Sequence, residues 1–268
     1  MTVKHITDSG CGIIEEQSEA EASAEPPIIL AVDTSSPRAG LALARGERLI
    51  SSLAEESRAP HSQTLFLHLT ALLARAQLDL AQVDAFAVAT GPGSFTGLRV
   101  GLAAVKGLAH TLGRPAIGVT SLDATALAAD FAGRVVAMID AGRGEVYCGL
   151  REVTAAGDVS KLGEDRVGPP RAALGHLLNY LNNGSVAFAG EGARHYRDEI
   201  VEAAAIAGTH LEAATSAKSQ GVAWQLKDAQ LDLAPHIALR ASRLFNSGRW
   251  PGPQAYYIRP SDAELKCR

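Results

Sequence analysis

The 268-residue chain is 47% hydrophobic and 20% charged, with a formal net charge of −4 and a pI near 6.1. That length supports one large core or two smaller ones; the acidic balance excludes a chain-wide basic footprint for nucleic acid, and no apolar run approaches the roughly 20 residues that span a membrane. Cys11, Cys148 and Cys267 are too far apart for a metal spacing and, with no signal-peptide pattern at the N-terminus, point to a reducing, cytoplasmic setting.

Residues 1–27 are acidic, poor in large apolar side chains and closed by a proline pair, a composition that predicts a disordered extension. Ile28–Asp33 then reads as a buried strand ending in a carboxylate, followed by the turn Thr34-Ser35-Ser36-Pro37. Ala39–Ala44 and Leu49–Ala54 flank Arg45-Gly46-Glu47 as an antiparallel hairpin. A helix over His61–Gln77 leads to the strand at Ala85, a glycine loop, and a second helix running to Leu112. Pro115–Val119 is a further strand and Leu122–Ala129 a further helix. At Val135–Asp140 the opening pattern returns: an apolar run, an Asp, a turn, and a strand over Glu145–Arg151. This repetition suggests two related α/β lobes. From residue 170 to 250 the pattern reads as helices around one short strand, Ser185–Ala189, and the chain closes on an extended segment, Pro251–Pro260.

The glycine loop Thr90–Gly101, T-G-P-G-S-F-T-G-L-R-V-G, invites a phosphate-binding reading because it joins a strand to a helix. A P-loop needs Lys and Ser or Thr after its last glycine, where this chain has Leu98 and Arg99. The dinucleotide fingerprint fails too, since Gly91, Gly93 and Gly97 place the third glycine one residue late. A generic anion site at the helix N-terminus stays open, beside a structural reading in which Ser94 caps the helix. Gly97, Gly101, Ala104 and Leu108 share one bare helical face, to which another backbone can come close. In the preceding helix Leu65, Leu69, Leu72 and Ala76 form one apolar stripe, and Leu67, Ala71, Ala74 and Leu78 an opposite one. Two apolar faces imply burial on both sides, within the domain or across a subunit interface.

"ILAVDTS", "TGPGSFTGLRVG", "DAGRGEVY" and "YYIRP" resemble the bacterial TsaB family, over about Ile28 to Arg259. The resemblance implies an α/β, actin-like ASKHA fold of two ribonuclease-H-like lobes, 28–130 and 131–268, preceded by the acidic extension. It implies a non-catalytic scaffold subunit of the complex that adds a threonylcarbamoyl group to the adenosine next to the anticodon of tRNA. The implied partners are TsaD, the catalytic paralogue, and TsaE, an ATPase, with tRNA reached only through the complex and a homodimer as the state without partner. The implied partner face lies on the two helices above, at Leu65, Leu69, Leu72, Ala76, Gly97, Gly101, Ala104 and Leu108. No cofactor, metal or catalytic residue is expected. Where the catalytic paralogue carries two metal-holding histidines, this chain has Ser121 and Thr125. The alternative is an ASKHA-type small-molecule kinase using Mg-ATP at Asp33 and Asp140. Otherwise Asp33, Thr34, Ser35 and Asp140 mark a vestigial nucleotide cleft.

Overall fold

The computed structural model describes residues 25–56, 59–181, 184–213, 223–227 and 232–259. The acidic extension up to residue 24, with Cys11, and the last residues from 260, with Cys267, lie outside the described residues.

The first sheet is built from β1 (Ile28–Asp33), β2 (Arg38–Arg45), β3 (Arg48–Glu56), β4 (Ala85–Ala89) and β5 (Ala116–Val119), in the order β3-β2-β1-β4-β5. β1 pairs antiparallel with β2 and parallel with β4. It is buried along its whole length, as its unbroken apolar run requires of a central strand. Helices α1 (His61–Ala76) and α2 (Phe95–Leu112) lead into β4 and β5.

The second sheet repeats this plan. β6 (Gly133–Gly142), β7 (Glu145–Val153) and β8 (Val159–Gly168) form an antiparallel meander, and β9 (Val186–Ala189) runs parallel to β6. β11 (Trp224–Lys227) and β10 (Leu211–Ala213) complete the order β10-β11-β9-β6-β7-β8. Apart from the additional edge strand β10, the two sheets therefore share one strand order and one pattern of directions, the duplication that the repeated strand–Asp–turn unit foretells. β8, β10 and β11 have no counterpart in the sequence reading. β8 is an edge strand carrying Lys161, Glu164, Asp165 and Arg166, so no apolar alternation betrays it.

Side chains alternate between the faces of each strand, and the two faces differ. On the first sheet Leu30, Val32, Leu43, Phe86 and Val88 pack against α1 and α2. The opposite face is nearly all alanine, with Ala31, Ala42, Ala44 and Ala87, and receives α7 (Ala234–Asn246) through Ile237, Ala238 and Ala241. Small residues on that face let the α7 backbone come close. On the second sheet α4 (Pro170–Leu181), α5 (Glu191–His195) and α6 (Arg197–Ile206) cover one side, while Leu122 and Ala126 of α3 (Ser121–Ala128) cover the other.

The last two contacts correct a simple division at residue 130. α3 precedes that point yet packs on the second sheet, and α7 follows it yet packs on the first. The two lobes exchange a helix, which leaves each sheet covered on both faces. No helix of the described residues is long and apolar enough to cross a membrane.

Candidate functional site

The glycine loop seats the chain's own backbone. Ser94 is the N-cap of α2, its Oγ accepting from the Gly97 N–H at 3.3 Å, and the Ser94 N–H donates to the Ser35 carbonyl at 2.7 Å. A Cβ at Gly97 would fall on the Thr34 carbonyl oxygen, and one at Gly101 on Thr34 Oγ1. The Thr34 hydroxyl donates to the Gly97 carbonyl at 2.8 Å in a buried hydrogen bond. The bare face of α2 is thus occupied by the turn after β1. Gly97 and Gly101, expected on a partner face, are covered by the chain's own Thr34.

The leucine stripe of α1 needs the same correction. Leu65, Leu69 and Leu72 are buried in the core beneath the helix, and Ala76 packs partly against it. Ala104 and Leu108 are half-buried at the rim. Either apolar stripe satisfies the helical period, so spacing alone cannot say which one meets the sheet. The stripe turned to solvent carries Leu67, with neighbouring Phe66; they are 70% and 54% exposed. Beside them an apolar groove of about 240 Å³ runs between the helices, lined by Phe66, Leu80, Ala103, Ala104, Gly107 and Leu108 among others. A Cβ added at Gly107 would meet nothing within 4 Å. Of the eight residues assigned to the face, Ala104 and Leu108 border this groove.

The interlobe cleft holds a pocket of about 130 Å³ bordered by Ser35, Arg38, Glu56, Thr125, Ile139 and Glu191, among others. Neither Asp33 nor Asp140 borders it. Asp33 lies on the alanine face of β1, only 1% exposed, and accepts from the Ser35 N–H at 2.9 Å. Burial pushes its carboxyl above the ordinary range, the Ser35 hydrogen bonds opposing this and nearby Asp232 adding to it. Thr34 is buried against α2 as described. Asp140 accepts from the Gly142 N–H at 2.9 Å, tightening the β6–β7 turn. Of the four residues of the expected vestigial cleft, only Ser35 lines it, because strand alternation and the two Asx-type turns direct the carboxylates elsewhere.

A buried charge cluster had no signal in the sequence. Arg151, on β7 and 1% exposed, donates to Asp123 Oδ1 at 2.5 Å and to both oxygens of Asp165 at 2.7 and 3.1 Å. Lys161 Nζ lies 3.2 Å from Asp165 Oδ2. Burial alone would raise the Asp165 carboxyl, but the hydrogen bonds and charge of Arg151, joined by Lys161, hold it below the ordinary value. The three elements involved, α3, β7 and β8, are brought together only by the fold, so nothing local marks these residues. Ser121 and Thr125 sit on the same α3, both buried, with the Thr125 hydroxyl donating to the Ser121 carbonyl at 2.8 Å.

The model of the TsaD family, tRNA N6-adenosine threonylcarbamoyltransferase, matches residues 53–254. A Haemophilus influenzae protein named tRNA threonylcarbamoyladenosine biosynthesis protein TsaB is 43% identical over 124 residues, 44% of this chain and 51% of that protein. The solved structure of YeaZ from Pseudomonas aeruginosa superposes with a TM-score of 0.66 at 28% identity, covering 86% of this chain and 99% of that one. The chain belongs to the TsaB family. An uncharacterized Mycobacterium tuberculosis protein is also similar, 37% identical over 155 residues, 55% of this chain and 71% of that protein. In sequence the match spans about half the length of the named TsaB relatives. The YeaZ superposition extends it to both lobes and, with the strand order above, gives this TsaB-family chain the actin-like ASKHA fold.

Proposed function

We propose that this TsaB-family chain acts in tRNA threonylcarbamoyladenosine biosynthesis as a non-catalytic subunit, binding and activating a TsaD-type catalytic paralogue. TsaE and tRNA join through that complex, and two copies of the chain pair through the same face when TsaD is absent. The observation that carries the reading is the apolar groove of α1 and α2 with exposed Phe66 and Leu67 beside it. Solvent-facing large apolar residues beside a glycine-floored groove suit an incoming helix. The kinase alternative loses its two carboxylates, since neither Asp33 nor Asp140 borders the cleft pocket.

The test is Gly107→Arg. The position faces open space, and replacing a mid-helix glycine favours the helix by up to about 1 kcal/mol, so the chain should fold at least as well as the parent. Co-purification with TsaD should be lost, and reconstituted threonylcarbamoyl transfer should fall at least about ten-fold, equivalent to roughly 1.4 kcal/mol of lost association. Light scattering of the variant alone should show monomer. Undiminished capture of TsaD by a folded Gly107→Arg chain would refute the assignment of this face.

A further inference from the structure

After α7 comes an extended segment, residues 250–259, that the functional reading leaves unused. On the first lobe the Gly118 N–H donates to the Pro251 carbonyl at 2.9 Å and the Tyr256 N–H to the Thr90 carbonyl at 2.7 Å. The segment thereby covers the open edge of β5. Tyr257 stacks obliquely on Phe95 of α2, ring centroids 5.1 Å apart. On the second lobe the Tyr256 hydroxyl donates to Asp165 Oδ2 at 3.0 Å. Ile258 packs with the apolar cluster of Val135 and Ala187. Arg259 pairs with Glu145 and donates to the Ala141 carbonyl at 3.2 Å. Four consecutive residues are divided between the lobes.

The anchorage is built into both sides. A Cβ at Gly91 would stand 2.8 Å from the Tyr256 carbonyl oxygen, and one at Gly118 only 2.7 Å from that of Gly252. Both are closer than a real side chain tolerates, so the first lobe keeps two bare positions where the segment lies. On the other side Asp165 is no surface acceptor. It is 1% exposed and fixed by Arg151, which is itself bridged to Asp123 of α3. A hydrogen bond to a carboxylate held in this way is stronger than a neutral one and is little screened by solvent.

We infer that residues 250–259 are an interlobe clamp: by binding backbone of the first lobe and the buried charge cluster of the second, they fix the angle between the lobes. Two-lobed proteins that close on ligands do so by hinge motion of a few connecting residues; here the connection is strapped. A scaffold that offers one fixed face to a partner gains from such rigidity. The inference goes beyond the functional reading and does not depend on it, because its readout requires only the isolated chain.

Spin labels at Gln63→Cys on α1 and Val201→Cys on α6, with Cys11 and Cys267 replaced by Ser, report the interlobe distance; Cys148 is buried and stays unlabelled. The parent should give one narrow distribution, and the Tyr256→Ala/Arg259→Ala variant a broadened or shifted one. Tyr256→Phe keeps the ring and removes only the hydroxyl, with its bonds to Asp165 and from Lys161 Nζ. In native-state hydrogen exchange it should speed the Tyr256 and Gly118 amides by about ten-fold, the equivalent of one hydrogen bond to a charged group, while β1 and β6 stay unchanged. If the double variant does not fold, the exchange measurement on Tyr256→Phe decides. A broad parent distribution, identical distributions in parent and folded double variant, or unchanged exchange at both amides overturns the clamp.

Discussion

Replacing Gly97 with alanine should destabilise the protein, whereas the same substitution at Gly107, further along the same helix, should stabilise it. Helix propensity favours alanine over glycine at both positions by about 1 kcal/mol. At Gly97 the added Cβ falls on the Thr34 carbonyl, backbone against backbone, so either the turn after β1 or the first turn of α2 must move. Overpacking of this kind costs about 1–3 kcal/mol. The movement also strains or breaks the buried Thr34 hydroxyl bond to the Gly97 carbonyl, 2.8 Å long, and an unsatisfied buried polar group costs about 1–3 kcal/mol more. Set against the propensity gain, the net loss is about 1–5 kcal/mol. At Gly107 nothing opposes the gain, because no atom lies within 4 Å of the new Cβ. Urea unfolding of the full chain, followed by circular dichroism, measures both; equal slopes would confirm that stability and not compactness has changed. A Gly97→Ala midpoint at or above the parent's would refute the packing argument.

The stripe correction predicts a split between two leucines of α1. Leu72→Ala, at 0% exposure, should cost about 2–5 kcal/mol of stability. Leu67→Ala, at 70% exposure, should change stability by no more than about 0.5 kcal/mol yet weaken association with TsaD; the reverse pattern would restore the original stripe. Asp33 predicts a pH dependence. Its folded-state carboxyl is raised above the ordinary 3.8, so its contribution is fully present below that value and declines as pH climbs through the raised one. Asp33→Asn keeps an acceptor for the Ser35 N–H and removes the titration. Its urea midpoint should therefore gain on the parent's as pH rises above about 4, the ordinary carboxylate range; parallel profiles from pH 3 to 8 would contradict the buried placement.

Much of the first lobe was legible in the sequence because its signals are local. The unbroken apolar run Ile28–Val32 demanded a buried strand, the Arg45-Gly46-Glu47 turn a hairpin, and Ser94 a helix start; each appears in the structure. The repeat at Val135–Asp140 announced the second lobe for the same reason. β8, β10 and β11 were illegible because two of them, β8 and β10, are sheet edges and all are short or rich in polar residues. The proposed partner face follows from the sequence as a pair of helices and not as residues. Both stripes of α1 repeat at the helical period, and only the packing of Leu65, Leu69 and Leu72 on the sheet reveals that Leu67 faces out.

The glycine loop shows where the boundary lies. Its sequence alone determined that no P-loop or dinucleotide fingerprint is present, since the lysine and the spacing are missing. It also pointed to a close approach at Gly97 and Gly101, because unneeded glycines in a helix weaken it. What approaches was a matter of tertiary structure: the Tyr256 carbonyl at Gly91, Ser35 at Gly93, and Thr34 at Gly97 and Gly101. At these four positions space is short, while Gly107 on the same helix faces open space; only the folded chain tells the two cases apart and says what fills the first.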